Sequence, residues 1–272
     1  MKYGFCLPGG FAMPNSAAAG TSDRLRAFLD GYRLMREIGY DYMECAVGHL
    51  VSLTDEEMEQ AAACHRDGLL TVEACNSFIP GTLPLVGPQA DWNAIESYLR
   101  NALSRMAQVG VNTVVFGSGA ARKIPEGITL EEAMADLDRF MTLAESIARP
   151  LDITVVIEPL NKGETNVIHT VAAGGEIARR LNLPNLKLLG DSYHMYLEGE
   201  DPDVLYENRD ILKHIHVAEP VGRVNPKDGL YLRQCGEALK KAGYEGRVSI
   251  ECNYRNFEAE IRVSLPFLKL LF

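Results

Sequence analysis

Thr154-Val155-Val156-Ile157-Glu158-Pro159-Leu160-Asn161 carries four β-branched residues in a row, then an acid, then a proline. The four favour an extended strand. With no polar alternation, that strand has both faces covered, as in a parallel sheet flanked by helices. Pro159 cannot continue the ladder, so Glu158 sits where the chain leaves the sheet. The same figure recurs along the chain. Strand candidates are Tyr3–Leu7, Tyr42–Val47, Leu70–Ala74, Thr113–Gly117, Thr154–Glu158, Leu186–Gly190, His214–Ala218 and Val248–Cys252. Eight units over 272 residues average 34 residues each, about one strand plus one crossover helix.

Between these runs the spacing changes to that of amphipathic helices. The third helix sets Trp92, Ile95, Leu99, Ala102, Leu103 and Met106 on one stripe, and the fourth sets Leu130, Ala133, Leu137, Phe140, Met141, Ala144 and Ile147. Thr54 before Asp55-Glu56-Glu57 and Thr129 before Glu131-Glu132 supply a capping oxygen followed by acids suited to the positive helix end. Strict alternation of strand and helix without a linker predicts one (β/α)8 TIM barrel over residues 1–272, a length typical of that fold. An open doubly wound sheet would carry a glycine-rich phosphate loop after its first strand, and Pro8-Gly9-Gly10-Phe11-Ala12-Met13-Pro14 is not one. Gly117-Ser118-Gly119 reads as a tight strand-to-loop turn.

Composition narrows the function. Hydrophobic residues at 47% and charged residues at 24% are globular values, and no run of about 18 apolar residues or signal-peptide pattern is present, so a cytoplasmic protein with no membrane partner is expected. A net charge of −10 and a pI near 5.2 argue against nucleic acid, which demands a basic footprint. The six cysteines form no Cys-x-x-Cys pair, and buried reduced thiols are the expectation.

The catalytic face of such a barrel lies at the C-terminal ends of its strands. The last four strand ends place Glu158, Asp191, His216 and Glu251 there. Singly, each has an ordinary explanation as a helix cap or an ion pair. Together they aim three carboxylates and an imidazole at one point, where the acids would repel one another unless a cation joined them. That donor set suits Mn2+, Mg2+ or Co2+ better than a structural zinc. His214 and His216 share a strand face; His216 is nearer the rim and is the expected ligand, with His214 in an inner layer behind it. His194, three after Asp191, is either a donor to a substrate oxygen or a surface loop residue.

Ile157-Glu158-Pro159-Leu160-Asn161, Gly190-Asp191-Ser192-Tyr193-His194-Met195, His214-Ile215-His216-Val217-Ala218-Glu219 and Glu251 resemble the signature of the xylose isomerase-like barrel superfamily. The resemblance is to its sugar phosphate isomerase/epimerase branch, with D-tagatose 3-epimerase and hydroxypyruvate isomerase among its members, and it covers essentially the whole chain. It implies Glu158, Asp191, His216 and Glu251 as ligands of one divalent ion per chain, Mn2+ first, with Mg2+, Co2+ or Zn2+ as alternatives. It implies Glu164, His194, Arg223 and Glu219 as substrate-binding residues. Arg223 falls seven after His216 where the pattern expects six, which implies a reshaped loop.

The activity implied is epimerisation or isomerisation of a ketose, sugar phosphate or related hydroxy-ketone. Glu158 and Glu251 would flank a substrate chelating the metal. One removes the proton α to the carbonyl, the metal stabilises the enediolate, and the other returns a proton. Alternatives are a dehydratase of the inosose or dehydroshikimate type, a non-catalytic sugar-binding barrel, and an endonuclease IV-like phosphodiesterase, which the acidic charge and six histidines disfavour. Homo-oligomers through outer helices are compatible with this reading but not specified.

Other loops stay open. Pro8–Ser22 reads as a lid or a passive rim, and Phe78-Ile79-Pro80-Gly81 with Leu83-Pro84-Leu85 as an apolar wall. Glu44 and Glu73 read as site contacts or as interior carboxylates paired with a basic neighbour. Arg122-Lys123 reads as an anion site or a solvated loop.

Overall fold

In the computed structural model, which describes residues 1–9, 11, 22–227 and 229–272, eight parallel strands pair in chain order and the eighth returns to the first. They are β1 Lys2–Cys6, β2 Tyr42–Ala46, β3 Ala74–Asn76, β4 Thr113–Phe116, β5 Thr154–Ile157, β6 Leu186–Asp191, β7 Leu212–Val217 and β8 Arg247–Ile250. Ten helices accompany them among the described residues: α1 Asp23–Ile38, α2 Val47–Val51, α3 Asp55–Arg66, α4 Trp92–Gln108, α5 Leu130–Ala148, α6 Val171–Leu181, α7 Ser192–Leu197, α8 Val204–Glu207, α9 Leu230–Lys241 and α10 Phe257–Leu271. The closed ring with its outer helices is a (β/α)8 barrel. No helix among the described residues is long and apolar enough to cross a membrane.

Local chemistry explains the elements. Thr54 and Thr129 each close a capping box: the hydroxyl accepts the Glu57 or Glu132 amide, and that glutamate's carboxylate accepts the threonine amide. The expected stripe of α4 buries Ile95, Leu99, Ala102, Leu103 and Met106, and α5 buries Ala133, Leu137, Phe140, Met141 and Ala144. Leu130, the first residue of α5, departs from its stripe and is 63% exposed.

The third strand also departs from expectation, running Ala74–Asn76 instead of Leu70–Ala74. Leu70 and Val72 are buried, but Val72 donates its amide to the carbonyl of Val109, and regular pairing starts only at Glu44↔Ala74 and Ala74↔Thr113. Burial without pairing imitates a strand in the sequence.

The pleat then decides what lies inside. Side chains two apart share a face, so Val115, Val156 and Leu189 point inward and form a small core separate from the helix-packed one. Across from them the inner positions are polar: Glu44, His214 and Ser249, all fully buried. Gly4 is required here, since a β-carbon would overlap the Tyr42 ring. One step further along each strand, the same inward face reaches the open end of the barrel.

Phe140 is fully buried, with its ring centroid 4.6 Å from that of Phe116. Phe140→Ala is expected to lower the unfolding free energy by about 3–5 kcal/mol through lost burial and a cavity. Leu130→Ala, at an exposed position of the same helix, should change it by less than about 0.5 kcal/mol. Urea denaturation compares the two, and equal losses would contradict the assigned buried face.

Candidate metal centre and active site

Parity places the site. Val156 and Glu158, Leu189 and Asp191, His214 and His216, and Ser249 and Glu251 are pairs two apart on inward faces, so the second member of each stands at the open end. Glu158, Asp191, His216 and Glu251 each offer one ligand atom, and these atoms all lie within 4.8 Å of one another. His216 Nδ1 is 3.1 Å from Glu158 Oε1 and 3.2 Å from Glu251 Oε2. Four neighbouring strands thus deliver the expected ligand set to one place.

Backbone requirements hold these groups there. A β-carbon at Gly117 would overlap Glu158 Oε2, so only glycine leaves that carboxylate its position. Asp191 Oδ1 accepts the Tyr193 amide at 2.7 Å and caps α7, leaving Oδ2 toward the cluster. Asn76 donates to Glu251 Oε1 at 3.0 Å.

Arg223 spans the acids, with Nη2 2.6 Å from Glu251 Oε2 and 3.5 Å from Asp191 Oδ2, and Nη1 3.6 Å from Glu164 Oε1. Its loop makes a left-handed turn at Gly222, φ 81°, and Arg223, φ 48°, closed by the Glu219–Val224 bridge. His194 is buried; its Nδ1 accepts the Asn161 amide at 3.2 Å, and its Nε2, 3.6 Å from Asp191 Oδ2, has no hydrogen-bond partner among the described residues. Glu164 accepts from the Asn161 side chain at 3.2 Å. Glu219 does not join the group. Its carboxylate accepts the amides of Lys227 and Gly229 at 2.8 and 3.2 Å and braces the loop that carries Arg223.

Glu158, Glu164, His194, Arg223 and Glu251 line a cavity of about 530 Å3, walled on the other side by Ile79, Pro80 and Ser118. The apolar wall expected after the third strand is therefore partly realised. Ser118, in the turn after β4, takes φ 45° and accepts the Ile79 amide. Sequence reasoning missed Asn76 and Ser118 as parts of the site. Asn76 was legible only with β3 placed at Ala74–Asn76, which makes it the inward residue at that strand's end. Most of the Pro8–Ser22 loop lies outside the described residues.

Two other open readings are settled. Glu44 is an interior carboxylate paired with His214 and His216, at 2.9 and 3.0 Å. Glu73 pairs with Lys2 and Arg247 at the opposite end of the barrel. Arg122 is no anion site: it is fully buried and donates to the carbonyls of Phe116, Glu158 and Ile168.

Protonation follows from this packing. Burial pushes Asp191 up to about 6, against the pull of His194 and Arg223. Burial also disfavours the Glu251 charge, but the His216 ring and the Arg223 guanidinium outweigh it and hold that carboxyl at about 2. His216 is raised well above the usual imidazole range, because Glu44 and Glu251 outweigh the burial that opposes its charge.

The sequence matches the family described as "Xylose isomerase-like TIM barrel" over residues 32–271. It is 28% identical over 238 residues to 3-dehydro-D-guloside 4-epimerase of Escherichia coli (strain K12), covering 84% of this chain and 87% of the relative. It is 24% identical over 229 residues to D-psicose 3-epimerase of Agrobacterium fabrum, covering 79% and 75%. The crystal structure of 3-keto-D-glucoside 4-epimerase from E. coli superposes with a TM-score of 0.80 at 23% identity, covering 99% of both chains, a likeness of fold.

In metal-free protein, Asp191 has a folded pKa above its ordinary 3.8, so its contribution to stability is present at low pH and is lost as pH rises through about 6. Above pH 7 the ionised group costs up to ~3 kcal/mol at about 1.36 kcal/mol per pKa unit. Asp191→Asn keeps a capping oxygen and removes that charge. In chelator it should stabilise the protein at pH 7.5 by about 1–3 kcal/mol and give no gain at pH 4. Denaturant titration at both pH values checks this, and a loss at pH 7.5 would contradict it.

Proposed function

The chain belongs to the xylose isomerase-like TIM barrel family, and from that premise we propose that it is a sugar epimerase or isomerase that moves a proton α to a carbonyl and works with one divalent cation, Mn2+ first. The observation that carries this reading is the convergence of Glu158, Asp191, His216 and Glu251, with ligand atoms within 4.8 Å of one another. The donor set fits such an ion: three carboxylates and an imidazole are oxygen-rich for zinc and match Mn2+ or Mg2+. Their mutual repulsion would fall when an ion bound. A cation held there supplies Lewis acidity toward a carbonyl oxygen.

The residues divide the remaining work. Glu158 and Glu251 come from β5 and β8 strand ends, on different sides of the ring, and are the pair that takes and returns the proton. Return to the opposite face of the same carbon gives an epimer, and return to the neighbouring carbon gives an isomer. His194 points an unpartnered Nε2 toward the acids, where its N–H binds a substrate oxygen. Arg223 and Glu164 bind hydroxyls further out.

Cavity charge supports an uncharged hydroxy-ketone sugar as the substrate over a sugar phosphate. Among the described lining residues Arg223 is the sole lysine or arginine, and it is already held by Glu251. Arg122 is turned away into backbone carbonyls. Relatives named as epimerases of D-psicose and of 3-dehydro-D-guloside support a sugar substrate. The surface charge of −10 goes with a small uncharged ligand and disfavours nucleic acid.

Free ketoses incubated with the Mn2+-supplemented protein in deuterium oxide should lose an α-hydrogen signal, read by proton NMR after chelation. Glu158→Gln and Glu251→Gln should each slow that exchange by at least about 10²-fold. Retained exchange in both variants would remove them as bases. Mn2+ at about one hundred times its Kd should stabilise the fold by ~2.7 kcal/mol, measured as a rise in Tm, and no rise would remove the cation from the account.

A further inference from the structure

We propose that Glu44 is the positioning residue of the cation site: it fixes the tautomer of His216 so that the ring gives Nδ1 to the ion. The proposal rests on the metal-dependent reading above and adds to it a residue on the far side of the barrel, outside the cluster of Glu158, Asp191, His216 and Glu251.

The argument is a count of donors. Glu44 leaves β2 into the barrel interior and is fully buried. Its Oε1 faces His216 Nε2 at 3.0 Å. Its Oε2 faces His214 Nε2 at 2.9 Å and accepts the Ser249 hydroxyl at 2.6 Å. Ser249 has one hydrogen and gives it to Glu44, so the Tyr42 hydroxyl, 2.7 Å from Ser249 Oγ, donates in turn. A carboxylate ringed by three donors is an acceptor only. Both imidazoles must therefore carry hydrogen on Nε2. A lone pair there would face a buried carboxylate oxygen at hydrogen-bond distance, a repulsion where the other tautomer makes a hydrogen bond.

For His216 this divides the ring. Nε2 is committed to Glu44, and Nδ1 is the nitrogen on the side of Glu158 Oε1 and Glu251 Oε2, at 3.1 and 3.2 Å. With Nε2–H held, the proton that an ion displaces is the one on Nδ1, and that nitrogen's lone pair goes to the ion. The aligned carboxylate also makes that nitrogen more basic and holds the ring plane, as outer partners of ligating histidines do. His214 is the second clamp on the same carboxylate. Its Nδ1 has no partner, so its single hydrogen bond serves to aim Glu44. The polar half of the barrel interior, facing the Val115–Val156–Leu189 core, thus acts as a support that locks one ligand.

The test is isothermal titration of Mn2+ into the full-length wild type and Glu44→Gln, together with nitrogen-15 NMR of the histidines in wild type loaded with diamagnetic Zn2+. Gln presents an amide N–H2 to groups that are themselves donors, so binding should weaken 10- to 100-fold. The loaded wild type should show the His216 proton on Nε2, shifted downfield by its hydrogen bond to Glu44, and none on Nδ1, a reading that needs no variant to fold; in folded Glu44→Gln that downfield shift should be lost. Equal affinity in folded Glu44→Gln, or a proton on Nδ1, overturns the proposal while leaving the metal site standing. A wild type that takes up no Mn2+ and no Zn2+ overturns both.

Discussion

Glu158, Asp191 and Glu251 share one buried point with the His216 ring, and like charges a few ångströms apart in a low-dielectric mouth cannot all stay ionised without a counter-charge. Much of the surrounding structure answers that constraint. Arg223 lies across two of the acids from outside, Glu44 holds His216 from inside, and burial raises Asp191 while His216 and Arg223 lower Glu251. The backbone contributes as well. Gly117 makes room for the Glu158 carboxylate, and the left-handed Gly222-Arg223 turn lets the guanidinium reach back over the mouth.

The ring of strands makes this convergence affordable in geometry: eight parallel ends meet at one opening, and a two-residue pleat carries the interior face straight into the site. Where that face is Val115, Val156 and Leu189 the barrel is an apolar plug. Where it is Glu44, His214 and Ser249 it is a hydrogen-bonded support beneath the acids. The two halves do different jobs with the same periodicity.

This is also why part of the account was legible in the sequence. Apolar runs ending in Glu158, Asp191 or Glu251 announce both a buried strand and a residue at its exit, and the threonine caps at Thr54 and Thr129 announce helix starts by local chemistry alone. What depends on partners far along the chain was not legible. The β3 boundary follows from which carbonyl Val72 meets, Arg122 is buried among the backbone carbonyls of Phe116, Glu158 and Ile168, and Glu219 is turned to the amides of Lys227 and Gly229. The pairing of Glu44 with His214 and His216 spans 170 and 172 positions, a contact that no local pattern encodes.

Anomalous diffraction from crystals soaked in Mn2+ tests the central claim most directly. The account predicts one strong peak within bonding distance of Glu158, Asp191, His216 Nδ1 and Glu251. A map with no peak there, or with manganese bound only elsewhere on the acidic surface, would contradict it.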